Sequence, residues 1–287
     1  MSSTPVAVRA AGPPAQRRGR RWNRVGARWL DTLMGAVTAA TYVFLLAPIV
    51  VVVVFSMTKS ATGYEWTGFT LDWYRELAGA SQLLHALRVS LIVGFSSAAL
   101  SVLLGLLAAF AMARRRFRGK FVFSGMVLAP LIVPELVLAT SLLIMLTRVS
   151  LQLGYPSLIL GHVIITLPYA ALIQLARISS LNKEVEEAAA DLGAAPRSVI
   201  LLVIIPQLLP AMLTAFIFAF LVSFDDIVMS TFLSGVGTTM LPVNIYSMLK
   251  LGVSPVVNAL GTILVGLTLL LTVTTGVRQA TVQLRRG

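Results

Sequence analysis

Three carboxylates lie within long apolar stretches of this chain: Glu135, Asp225 and Asp226. An acid near the centre of a bilayer costs roughly 2.5–3.5 kcal/mol on insertion scales, so such residues face a protein interior or a water-filled path. Their partner there is a cation on the path, a basic side chain, or water. Pro130 and Pro134 stand just ahead of Glu135. Neither carries an N–H, so together they loosen a helix and free backbone carbonyls. Asp225 and Asp226 are adjacent and point about 100° apart on a helix, so at most one of them faces the centre of a path. His162 stands alone in another apolar stretch and reads as a structural hydrogen-bonding residue. Pro168-Tyr169 reads as a kink that packs. No cluster has the spacing of metal ligands, a catalytic triad or a cofactor box. Without cysteine there is no disulfide framework, thiolate metal site or thiol nucleophile. No residue is assigned a catalytic or metal-binding role.

The elements that would hold these acids are membrane spans. Of 287 residues, 57% are hydrophobic and 12% charged, and mean hydropathy is +0.88. A soluble domain has about 25% charged residues; half of that cannot cover a water-soluble fold of this size. An ordinary cytosolic enzyme, a disordered chain and a small secreted domain are therefore excluded. The apolar stretches are continuous, unlike the alternation of a membrane β-barrel. About 20 apolar residues cross a bilayer as a helix. Six such spans fit, at 33–57, 88–112, 121–147, 157–177, 208–233 and 255–277. Pro206 and Pro210 break up the apolar run at the start of the fifth. Counted along straight helices at about 1.5 Å per residue, Glu135 lies about 21 Å and Asp225 about 26 Å from the cytoplasmic ends of their spans.

Charge orients the spans. Eighteen of the 23 Lys and Arg residues fall before span one, after spans two and four, and at the C-terminus; four fall on the other side, and Arg88 sits at a span end. The positive-inside rule puts both termini in the cytoplasm. The net charge of +12 is thus topological and lipid-facing rather than a nucleic-acid surface. Residues 1–30 read as a basic, disordered cytoplasmic tail and 281–287 as a second tail, flanking a six-helix domain at 31–280. The apolar run that follows the Arg-rich start is too long for a signal-peptide core. In the outer loop 58–85, Tyr64, Trp66, Phe69, Trp73 and Tyr74 read as an interfacial anchor or a docking surface for an extracytoplasmic partner. Thr70 is the expected cap of a short helix there, with Asp72 in its first turn.

One cytoplasmic loop, 179–206, differs from the rest. It holds Glu184, Glu186, Glu187 and Asp191, four of the 11 acids in the chain. Asn182 is placed to cap a helix whose first turns are acidic. Ala188, Ala189 and Ala190 favour helix and are small enough for close approach by another protein. Gly193 suits the left-handed position that ends a helix, and Pro196 the first turn of the next. The pattern predicts a cytoplasmic helix–turn–helix shaped to fill a groove on a cytosolic partner.

Glu187-Ala188-Ala189, then Gly193, then Val203, Ile205 and Pro206 resemble the EAA loop of permease subunits from binding-protein-dependent ABC importers. Val203 and Ile205 are aliphatic variants of that pattern's usual Ile and Leu, and the spacing to Pro206 is intact. Over most of residues 30–280 the chain is similar to the second, potC-like type of spermidine/putrescine permease subunit. Ser223-Phe224-Asp225-Asp226, Leu241-Pro242, Ile245-Tyr246-Ser247-Met248, Gly252-Val253-Ser254-Pro255, and Pro130 with Pro134-Glu135 carry that similarity. The resemblance implies an all-α polytopic membrane protein with the six-helix type I importer permease fold, in a bacterial inner membrane. It implies a homologous permease, two cytosolic ATPase subunits and an extracytoplasmic substrate-binding protein as partners, besides membrane lipid. Glu187, Ala188, Ala189, Asp191, Gly193 and Pro206 would couple to the ATPases. ATP and Mg would bind those ATPases, with no cofactor in this chain. A phosphate-binding G-x-x-x-x-G-K-[ST] loop is missing: none of the four lysines, Lys59, Lys120, Lys183 and Lys250, has that context.

Carboxylates spaced along a path would offset the desolvation of a flexible polyamine bearing two or more ammonium groups. Polyamines are therefore the expected cargo, with Glu135, Asp225 and Asp226 along the path. Other small solutes remain open as cargo. The rival from a different class is a cation-coupled secondary transporter with these acids as its relay; such a transporter would have no use for the cytoplasmic loop. A membrane receptor or scaffold is a further rival, which the want of any sizeable soluble sensor domain disfavours.

Overall fold

The computed structural model describes residues 24–62, 65–252 and 254–284, with side chains described from 29 to 270 except at 251 and the gaps. The expectations for residues 1–23, Tyr64, Val253 and 285–287 lie outside that set. The described chain is helical, and its only β-pairing is an isolated antiparallel bridge between Thr58 and Phe69. In order come α1 (Arg24–Phe55), α2 (Asp72–Gly79), α3 (Ser81–Arg114), α4 (Lys120–Leu128), a 3₁₀ turn (Ala129–Leu131), α5 (Glu135–Arg148), α6 (Tyr155–Ser180) and α7 (Lys183–Asp191). Then follow α8 (Pro196–Ser198), a π-helical stretch (Val199–Ile204), α9 (Ile205–Phe224), α10 (Val228–Leu233), α11 (Leu241–Leu251) and α12 (Pro255–Leu284). Residues 24–30, assigned to the N-terminal tail, are helical, as are 281–284 of the C-terminal one.

Four runs are long and apolar enough to cross a bilayer: Trp29–Phe55, Ser81–Arg114, Tyr155–Ser180 and Pro196–Phe224. Lys120–Leu131 with Glu135–Arg148 makes a fifth when taken as one span, and Pro255–Leu270 is a shorter apolar helix. The chain divides after Val51 into two units, the first ending within α1 and the second comprising Val52 onward. Within the second, α3, α6 and α9 pack along one another. Their contact is built from small residues. A Cβ at Gly105 would lie 2.9 Å from the backbone nitrogen of Ala171 and 3.1 Å from the Cβ of Ala170, so α3 and α6 touch backbone to backbone. Polar side chains knit the same seam. Ser101 and Thr166 hydroxyls are 2.7 Å apart, and the Gln174 amide donates to the Val102 carbonyl at 3.0 Å.

One apolar cluster joins α3, α5, α6 and α10 through Val89, Leu142, Leu158 and Met229. Another joins α2, α3 and α12 through Leu77, Leu83 and Leu260, and Trp73 and Tyr74 pack against it. Those two aromatics are therefore core residues, whereas Trp66 and Phe69 are exposed as an interfacial anchor would be. Leu71 stands immediately before α2, but the Thr70 hydroxyl still accepts from the N–H of Asp72, the first residue of the helix, at 3.2 Å and donates to its carboxylate at 2.6 Å.

Two span expectations are corrected. Span three is not one straight helix. It breaks at Ile132–Pro134, and its halves meet at 105°, so the depth counted to Glu135 along a straight helix does not apply. Span five does not begin at 208 and run to 233: it runs from Pro196 to Phe224, straight through Pro206 and Pro210, and breaks at Asp225. The π-helical stretch ends just before Pro206, where the ring cannot donate. The Gln207 side chain then donates to the Val203 carbonyl at 2.8 Å.

Because the atoms facing Gly105 are backbone and the Cβ of Ala170, they cannot rotate aside. Gly105→Leu should destabilise the protein by about 1–3 kcal/mol, read as a lower thermal unfolding midpoint in detergent. An unchanged midpoint would mean that the seam has slack.

Candidate functional site

The two helix breaks meet around a cavity of about 660 Å³. On one wall, Pro130 and Val133 belong to the bend and Glu135 is the first residue of α5. On another, Leu221 to Val228 carry the chain from α9 into α10, and Tyr169 of α6 completes the lining. Glu135, Asp225 and Asp226 all face this space, and no Lys or Arg is among the lining residues.

The three acids are in different situations. Asp225 is exposed to the cavity. Among the described residues its carboxylate accepts no hydrogen bond. Asp226 is buried, with 8% of its surface accessible. Its carboxylate accepts from the Ser230 backbone N–H at 2.8 Å, the Ser230 hydroxyl at 3.1 Å and the Met229 N–H at 3.4 Å, and so caps α10. Glu135, half-buried, lines the same cavity as Asp226. Carboxylates lining one cavity repel one another, and a cation among them removes that repulsion.

His162 is fully buried behind Asp226, its Nε2 3.6 Å from Oδ2. Its Nδ1 is 2.8 Å from the Ser223 hydroxyl on α9, and its Nε2 is 3.4 Å from that of Ser230 on α10. One ring thus holds both sides of the second break, in keeping with the structural role read from the sequence. Tyr169 was read from the sequence as packing alone. Its ring lies tilted against that of Phe218, with centroids 5.2 Å apart, and still lines the cavity. An aromatic ring among carboxylates is the surroundings an ammonium group favours.

The second set of predicted residues forms a separate surface at the other end of α6. The Asn182 carboxamide accepts from Glu184 N–H at 3.0 Å and opens α7. At the far end Gly193 has φ of 83°. Its N–H binds the Ala190 carbonyl at 2.9 Å, and Ala194 N–H binds that of Ala189 at 3.1 Å. This is the two-bond closure that a left-handed glycine permits. α7 has two faces. Ala189 packs inward against the cluster of Ile178, Val199 and Ile204. Val185, Ala188 and Leu192 point out, with Leu192 90% exposed. Glu187 and Asp191 are exposed too, and Pro206 lies in the first turn of α9. Val185 and Leu192 were passed over in the sequence, although with Ala188 they keep the i, i+3, i+7 spacing of an apolar stripe.

Residues 101–283 match the model of a protein family described as "Binding-protein-dependent transport system inner membrane component". This chain belongs to that family. It is a transport component of the inner membrane rather than an enzyme. That membership sets aside the secondary-transporter alternative.

Among relatives of this inner membrane component is the spermidine/putrescine transport system permease protein PotC of Escherichia coli K12. It is 38% identical over 241 residues, which cover 84% of this chain and 91% of that protein. PotC of Haemophilus influenzae is 39% identical over the same length, covering 84% and 94%. The putrescine permease PotI of E. coli K12 is 34% identical over 232 residues, covering 78% and 83%. Among solved structures, a chain of a bacterial alginate ABC importer superposes with a TM-score of 0.67 at 14% identity, covering 89% of this chain and 97% of that one. A chain of the MetNI methionine ABC transporter gives 0.52 at 16% identity, covering 73% and 97%. Those two likenesses establish the permease fold.

Proposed function

We propose that this chain is one of two permease subunits of an ATP-driven importer whose cargo is polyamines such as putrescine and spermidine. The carrying observation is the cavity at the two helix breaks, lined by Glu135, Asp225, Asp226 and Tyr169 and by no basic residue. A linear chain with ammonium groups at its ends matches spaced carboxylates better than a neutral or acidic solute does. The relatives named for spermidine and putrescine transport support the same reading.

The path is half-built here and completed by a homologous permease. An extracytoplasmic binding protein delivers the cargo, and two cytosolic ATPases, which bind ATP and Mg, drive the cycle. The loop 179–206 couples to them through Glu187, Ala188, Asp191, Gly193 and the outward Val185 and Leu192, while Ala189 and Pro206 fix the loop to the membrane helices. Six spans with both termini in the cytoplasm bring this loop to the ATPase side, as the charge distribution requires. A basic N-terminal tail precedes the six-helix domain.

The test is reconstitution of the four-component assembly in proteoliposomes. Binding protein loaded with putrescine or spermidine should stimulate ATP hydrolysis and drive uptake of the labelled amine. Stimulation by a neutral amino acid or sugar, with none by either amine, would overturn the cargo assignment.

A further inference from the structure

The helix α7 is nine residues long, and most of its surface is exposed. Two kinds of contact tie it to the membrane helices. One is apolar: Leu181, Ala189 and Ala194 rest on the cluster containing Ala109, Ile178 and Val199. The other is an ion pair, in which the Arg114 guanidinium donates to the Glu186 carboxylate across 72 positions of sequence. Among the described residues, it is the one ion pair that joins α7 to a membrane helix. Both side chains are largely buried, at 18% and 25% accessibility. Arg114 is the last residue of α3, which packs along both α6 and α9.

The two contacts differ mechanically. Apolar packing is non-directional, and of α7 itself only the small Ala189 side chain takes part in it. A guanidinium–carboxylate pair is charge-assisted and fixes direction as well as distance. Of the other acids of α7, all exposed, Glu184 accepts from the Asn182 carboxamide at 3.0 Å, while Glu187 and Asp191 are open to another protein.

We propose that Arg114 and Glu186 form a strut that carries displacement of α7 into α3, so that Arg114 is a positioning residue of the coupling apparatus. This rests on the assignment of α7 as the ATPase-coupling helix. When the ATPases move α7, the strut pulls the end of α3. Because α3 is locked to α6 at Gly105, the pull reaches both helices that pack beside α9. Without the strut, α7 still docks but its motion is absorbed by the non-directional apolar contact.

The test uses the complete reconstituted assembly, with Arg114→Gln, Glu186→Gln and the charge swap Arg114→Glu/Glu186→Arg. The quantities are ATPase copurified, amine transported, and amine transported per ATP hydrolysed. Each single variant should keep the ATPase bound while transport per ATP falls at least tenfold, and the swap should recover at least a third of the wild-type ratio. Arg114→Lys keeps the charge on a more flexible stem without the planar guanidinium and should fall between.

A purely structural role would lower the amount of assembly but leave the ratio for the surviving complexes unchanged, and that result overturns the strut. A lost ratio that the swap does not recover also overturns it. Gly193→Val in parallel separates the strut from the reading beneath it. If Gly193→Val stops transport while both single variants couple normally, the strut alone is wrong. If Gly193→Val also couples normally, α7 is not the coupling helix and both fall.

Discussion

Asp225→Asn should cut polyamine uptake by at least tenfold, with assembly at wild-type level. Asp225 faces the cavity, and its carboxylate holds nothing else together. Asparagine has nearly the same shape, so the variant removes charge and little more. A tenfold loss corresponds to about 1.4 kcal/mol, a modest share of what one carboxylate offers an ammonium group out of bulk water. Glu135→Gln should lower uptake similarly, since it removes one of the three carboxylates that line the cavity. Asp226→Asn should behave differently. Asp226 caps α10 and lies against His162, so its loss lowers assembly together with transport. The measurement is labelled putrescine and spermidine uptake per assembled complex. Wild-type rates in Asp225→Asn, Glu135→Gln and their double variant would remove these acids from the path.

Gly193→Val should abolish transport, although the membrane helices still insert. A Cβ at Gly193 meets nothing within 4 Å, so crowding is not the cause. The cause is φ of 83°, where an L-residue pays about 1–2 kcal/mol and a β-branched one is an outlier. Relief of that strain unwinds the end of α7 and moves Leu192. Gly193→Asn, which tolerates the left-handed region, should retain much of the activity. Ala189→Trp should act from the inner face, overpacking the contact with Ile178 and Val199 by about 1–3 kcal/mol. Pull-down of the ATPase beside uptake, with permease amount measured by blot, separates lost coupling from lost protein. Normal uptake and normal ATPase retention by Gly193→Val would sink the coupling assignment.

What the sequence showed of this molecule was what local chemistry determines. The cap at Asn182, the left-handed Gly193 and the helix start at Pro196 depend on neighbours in the chain, and all appear in the structure; of the six apolar runs, four are helices of spanning length and a bent pair makes a fifth. The acids at 135, 225 and 226 could be singled out because an acid in an apolar run is anomalous by itself. What stayed hidden depends on distant partners. Nothing near His162 in sequence says that Ser223, Asp226 and Ser230 surround it, and nothing near Arg114 points to Glu186. Proline misled in both directions. Pro206 and Pro210 suggest a later start for span five, but the apolar run continues through both from Pro196. Pro130 and Pro134 were expected only to loosen span three, yet the chain turns there by 105°. How far a proline bends a helix is decided by what the neighbouring helices leave room for.

The backbone contact between α3 and α6 at Gly105 also bears on how motion in this permease is measured. Two helices that touch without intervening side chains keep their spacing, and so supply a fixed datum inside the molecule. The chain has no cysteine of its own, so paired spin labels can be introduced at chosen positions without first removing native thiols. Distances from that datum to α7 and to α10 then report each element's travel separately, free of the tumbling and tilt of the whole protein in the bilayer.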